Sequence, residues 1–154
     1  MPTLPATTTR VRRSTADRVN RRIEDRIERD VTFFAEHPER IDQRLRELEQ
    51  EWDTERVLEA NAAALALGGT VLGILEDRRF LALPVVVTAF LLQHALQGWC
   101  PPLPILRRLG VRTTEEINRE RIALKTLRGD FGEVGQAVTD TPRARALAAL
   151  RAAA

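Results

Sequence analysis

Charged and apolar positions are segregated along this chain. Phe80 to Leu106 reads FLALPVVVTAFLLQHALQGWCPPLPIL and holds no Asp, Glu, Lys or Arg, although 30% of all residues are charged. At that charge density a gap of this length arises in about 10⁻⁴ of windows. A second apolar segment, Ala60 to Leu75, precedes it, with only Glu76-Asp77-Arg78-Arg79 between them. The pattern predicts a helical hairpin built for a low-dielectric environment, a bilayer. From Val57 to Leu75 a helix would run about 28 Å, close to the hydrocarbon thickness. Glu59 falls at its edge and Asn61 just inside.

The flanks follow a different rule. After Ser14-Thr15-Ala16-Asp17, a hydroxyl cap with an acidic first turn, Val19, Ile23, Ile27, Val31 and Phe34 recur every three or four residues. This predicts an amphipathic helix with one narrow apolar stripe. His37-Pro38 ends it, because the residue before proline is pushed out of the helical region. A further helix is expected from about Pro38, with Ile41, Leu45, Leu48 and Trp52 as a seam spaced 4, 3, 4. Each stripe needs a cover: the other helix, a second copy, or a membrane surface. No Gly or Pro lies between Trp52 and Leu67, so this helix is expected to run on into the first apolar segment.

Small residues mark that segment. Gly69 and Gly73 form a GxxxG pair, and Ala60, Ala64 and Gly68 repeat the spacing, a close-packing face in lipid. Its partner is the second arm or another copy. The second arm is expected from Phe80 to Gln97, with Pro84 in its first turns and Pro101, Pro102 and Pro104 stopping it. Residues 102–106 are expected to turn along the interface. Thr113 to Glu116 reads as a capping box opening a helix from Thr114 to Arg128, with Gly129 beyond its end. Gly132 and Gly135 suggest a link, and a last Ala/Arg helix follows Asp140.

Composition changes this picture little. The mean hydropathy of −0.25 averages two unlike regions. Net charge is +2, with 24 basic against 22 acidic residues, so no strongly charged partner is implied. Lys125 is the only Lys; the Arg bias reflects a GC-rich genome. Basic residues set the topology. Arg40, Arg44, Arg46 and Arg56 precede the first span, and Arg107, Arg108, Arg112, Arg119 and Arg121 follow the second. The loop holds only Arg78 and Arg79, balanced by Glu76 and Asp77. Both termini are expected in the cytoplasm. Residues 1–30 show no apolar core followed by a cleavage site, and the Pro/Thr/Arg-rich start is read as disordered.

Candidate chemistry is sparse. One cysteine excludes a disulfide framework and any CxxC pair. His94 and Cys100 are the candidate reactive or polar residues near the membrane. Six positions apart on one helix, they would lie about 240° apart and share no face. His94 marks the polar end of the helix or serves a functional role. Cys100 is a reactive thiol or a small residue at a tight turn. No phosphate loop, Ser/His/Asp set or aromatic-basic nucleic-acid face is present. No cofactor and no metal site are expected.

Gly98-Trp99-Cys100-Pro101, after an apolar hairpin and before a charged segment, resembles the YgaP-like inner-membrane transmembrane domain family. The resemblance covers residues 55–112. It implies a membrane hairpin, often dimeric, fused in some members to a rhodanese sulfurtransferase. This chain has no rhodanese-type cysteine loop, because Pro101-Pro102 follows its only Cys, so sulfurtransferase activity does not carry over.

The expected fold is all-α: a disordered start (1–13), charged amphipathic helices (14–56), a two-helix transmembrane hairpin (57–106) and cytoplasmic C-terminal helices (107–154). The expected function is that of a small non-enzymatic protein of the bacterial inner membrane. It acts in anchoring, in dimerisation, or as an accessory subunit of a membrane complex. Its partners are the bilayer, a second copy or another membrane protein, with no nucleic acid. Gly68, Gly69, Gly73 and Ala64 would carry helix packing, and Ile41, Leu45, Leu48 and Trp52 assembly. The alternatives are a Cys100-dependent sulfur-handling or small-anion passage protein, and a soluble helical scaffold with the apolar arms buried in a bundle.

Overall fold

The computed structural model describes residues 6–132, 141–143, 146, 149 and 150. The link at Gly135 and most of the Ala/Arg helix expected after Asp140 lie outside the described residues. Among the described residues every regular element is helical: α1 (Arg10–Arg13), α2 (Asp17–Glu36), α3 (Ile41–Gln50), α4 (Thr54–Leu75), α5 (Ala82–Gln97), α6 (Leu103–Arg108) and α7 (Thr114–Arg128). Short 3-10 turns, Pro38–Arg40 and Arg78–Leu81, lead into α3 and α5. The chain divides into two compact units: residues up to Arg26 with Trp52–Ile117, and Ile27–Glu51 with the residues from Asn118 on.

The first unit contains two helical stretches long and apolar enough to cross a membrane, one ending with α4 at Leu75 and the other Arg78–Gln97. The first does not run unbroken from α3. Glu51 is extended (ψ 129°), and the Asp53 side chain caps α4 by accepting from the Arg56 amide at 2.8 Å. An N-cap carboxylate fixes a helix start without help from Gly or Pro. α4 and α5 pack together through the glycines. A Cβ on Gly69 would lie 2.8 Å from Pro84 Cδ, and one on Gly73 would lie 2.5 Å from Leu81 Cδ2. Gly68 and Ala64, grouped with them in the sequence, are exposed, and a Cβ on Gly68 meets nothing within 4 Å.

α5 ends at Gln97, as expected, with Gly98 (φ +74°) as its cap. Only glycine takes this left-handed cap at low cost. The Arg10 backbone also stands 2.6 Å from where a Cβ would be. Residues 10–13, expected within a disordered start, form α1 with Val11 buried. Where an interfacial turn is expected over residues 102–106, Leu103–Arg108 form α6, which tolerates Pro104 in its first turn. Val11, Leu58, Cys100 and Leu103 make the apolar core at this end, with Leu106 packed against it.

A polar knot lies beside that core. Arg107 uses all five of its N–H donors: Nε to Thr15 Oγ1, Nη1 to the Val111 carbonyl and Glu116 Oε2, Nη2 to Asn20 Oδ1 and Glu116 Oε1. Glu116 also accepts from the Thr113 amide at 2.9 Å, while its own amide donates to Thr113 Oγ1. The capping box is therefore reciprocal, as the sequence predicts. The starts of α4 and α7 are joined. Thr54 donates through its amide and its hydroxyl to the Arg112 carbonyl, and Thr114 Oγ1 donates to Asp53.

In the second unit α3 pairs antiparallel with α7. Asp42 meets Arg128 Nη1 at one end, and the Leu48 carbonyl accepts from Arg121 at the other. Arg44 Nε donates to the buried Glu120 at 2.8 Å. Ile41, Leu45 and Leu48 are buried in this unit with Ile27 and Leu124. The polar side of α3 is thus tied to α7 of the same chain. Trp52 does not join the stripe. It follows the break after α3, is half exposed, and carries the Arg56 guanidinium 4.4 Å above its ring. α2 stops at Glu36, and His37 leaves the helical region before Pro38.

Candidate functional site at the base of the helix pair

His94 lies in the last turn of α5, and Cys100 in the turn that Gly98 creates. Both line one groove of about 430 Å³, with Leu58, Asn61, Leu65 and Phe90 among its walls. The 240° separation expected for the two residues holds only on an unbroken helix. The left-handed residue at Gly98 reverses the chain and brings Cys100 to the same groove.

Charged groups approach His94 from α1 and α4. Arg10 Nη1 donates to the Ala95 carbonyl at 2.9 Å, covering an open carbonyl near the end of α5. Arg10 Nη2 stands 3.6 Å from Glu55 Oε1. Arg10 Nε, Glu55 Oε2 and both ring nitrogens of His94 are buried without a hydrogen-bond partner among the described residues. His94 is 4% exposed. A buried polar atom left unpaired costs about 1–3 kcal/mol, so this cluster holds unused hydrogen-bonding capacity beside an apolar wall.

The chemistry open to this arrangement is limited. Cys100 is buried, and no hydrogen bond links it to His94. Arg107, near Cys100 in sequence, is committed to Glu116 and the groups around it, so it does not activate the thiol. Asn61 donates to the Val57 carbonyl of its own helix. Among the described residues no group of three His, Cys, Asp or Glu is placed to hold a metal ion. The groove can lodge an apolar or amphipathic group; a nucleophile–base pair is not assembled in it.

Sequence reasoning picked out His94 and Cys100 and missed Arg10 and Glu55. Nothing local in the sequence marks them, since each acts through a contact with a distant segment. Comparison with known proteins adds no neighbour: no family model, curated protein or solved structure matches the chain.

Proposed function

We propose that α4 and α5 cross the bacterial cytoplasmic membrane as a hairpin, in a small non-enzymatic protein that anchors or assembles there with a second copy or a membrane-protein partner. One observation carries this reading. In the most apolar 18-residue windows of the two stretches, only 17% and 6% of the residues are buried. A core helix of a water-soluble protein is mostly buried. Here Leu67 (67% exposed), Ile74 (74%), Val85 (66%) and Leu92 (62%) point away from the protein. An apolar surface of that extent calls for lipid or a partner.

The lengths agree with a span. The 22 residues of α4 rise about 33 Å, and α5 with its leading 3-10 turn rises about 32 Å, against a hydrocarbon core of about 30 Å. Arg10, Arg12, Arg13, Arg107 and Arg108 flank the base end, where Arg56 lies in the first turn of α4, so the base and both termini face the cytoplasm. With Gly69 and Gly73 occupied by the second arm, the exposed Ala64 and Gly68 are the small residues left for association in lipid. The resemblance carried by Gly98-Trp99-Cys100-Pro101 points the same way.

The test is fractionation of expressed protein. The expected result is resistance to a carbonate wash and release by detergent alone. Release by carbonate would mean that the apolar face of α4 and α5 is covered by protein, as in a soluble scaffold. A sulfur-handling role for Cys100 ends if Cys100→Ser keeps full function in the host.

A further inference from the structure

We propose that the groove between α4 and α5 binds a neutral, membrane-dissolved ring compound bearing carbonyl or hydroxyl oxygens, of the quinone or quinol class. The proposal rests on the membrane reading, because the bilayer supplies the ligand. The groove lies wholly within the first unit and holds about 430 Å³, within the range of small-molecule sites.

Its lining changes character along its length. Asn61, His94 and Cys100 lie toward the base, while Leu65, Val87 and Phe90 carry it toward the hairpin loop. Val87 stands seven residues before His94, about 10 Å along α5. Leu65 and Phe90 are exposed, so the groove opens on the apolar flank that faces lipid. No Asp, Glu, Lys or Arg lines it. Arg10 and Glu55 approach His94 from α1 and α4, but they stand 3.6 Å from each other and do not line the groove. A phosphate or carboxylate head would sit there without a counter-charge, so the occupant is neutral.

His94 is the decisive group. It is 4% exposed, yet neither ring nitrogen has a hydrogen-bond partner among the described residues. Buried polar groups are nearly always bonded, so this ring has capacity to spare. A neutral imidazole offers one N–H donor and one acceptor nitrogen. A ring carbonyl takes the donor, and a hydroxyl serves either. The histidine ring torsion is broad, so a small turn presents a nitrogen to the groove. Asn61 spends one N–H on the Val57 carbonyl, which leaves a second N–H and an oxygen on the same groove. Phe90, Pro101 and Pro102 supply rigid, flat-faced walls, which suit a ring better than a flexible chain.

The chain has two histidines, which makes the test simple. His37 lies in the second unit, with Nδ1 2.9 Å from the Phe33 carbonyl, and serves as internal control. The full chain labelled with ring-¹⁵N histidine is titrated in neutral detergent with decylubiquinone, and with decane as the oxygen-free control. His37→Gln assigns the two rings. The expected result is a saturable shift of the His94 nitrogens, with none at His37 and none with decane. Leu65→Trp, which fills the groove from an exposed position, should weaken binding at least tenfold, with unchanged circular dichroism as the check on its fold. No saturable His94 shift, an equal shift with decane, or undiminished binding in Leu65→Trp overturns the site. The decane comparison uses the wild type alone and stands whether or not that variant folds. Carbonate fractionation reads the span separately. A chain that resists carbonate but shows no His94 shift keeps the span and loses the site. A chain that carbonate releases but whose His94 still shifts keeps the site and loses the span.

Discussion

Arg107 and Glu116 meet through two parallel hydrogen bonds of 2.6 Å, with side chains only 1% and 2% exposed. Such a pair is strong in geometry and costly in desolvation. It raises stability little over a well-packed apolar pair, but breaking it strands a buried charge. Arg107→Ala or Glu116→Gln is therefore expected to cost about 3–5 kcal/mol. The double variant Arg107→Met/Glu116→Leu should lie closer to the wild type than either single variant. Denaturant unfolding in detergent checks this, and single variants that lose under about 1 kcal/mol would contradict it.

The same pair sets a pH response. Burial alone would raise the Glu116 carboxyl, but hydrogen bonds from Arg107 and the Thr113 amide hold it below the ordinary glutamate value of 4.5. A depressed carboxyl contributes stability that is fully present above the unfolded value and is lost as pH falls through the folded one. The melting temperature of the wild type should therefore drop below pH 4.5. Glu116→Gln should start lower and fall less steeply. Parallel curves would place the acid response on other carboxylates.

The glycines of α4 separate by role. Gly69→Leu is expected to push against the Pro84 ring and part α4 from α5, at a cost of about 1–3 kcal/mol. Gly68→Ala meets open space and should be neutral or stabilise by about 0.5–1 kcal/mol, since glycine weakens a helix interior. Thermal unfolding of the two variants side by side makes the comparison. Equal losses would show that the α4–α5 contact is not where these glycines matter.

Signals written within four residues were legible in the sequence. The Thr113–Glu116 box, the stop at His37-Pro38, the end of α7 at Arg128 and the two apolar helices all depend on local spacing. The break before α4 was also present in the text, as Asp53-Thr54-Glu55, a cap followed by an acidic turn. Continuity of apolar and helix-forming residues hid it. The end of the second arm at Gln97 is legible too, but the left-handed turn at Gly98 is not, and without it Cys100 is expected on the wrong face relative to His94. What no local pattern encodes is the partner of each side chain. Arg107 to Asn20, Arg10 to Ala95 and Arg44 to Glu120 join segments that only the tertiary fold brings together.

The clasp between Arg10 and the Ala95 carbonyl spans 85 residues of sequence. Its donor leaves the ribosome long before its acceptor is made. At about 5–20 residues per second the N-terminal helix waits several seconds for the far end of α5. The base of the molecule thus closes only after both apolar helices have been synthesised. A chain released anywhere before Gly98 lacks Cys100, Leu103 and Leu106, the far-end side chains of the cluster that holds Val11.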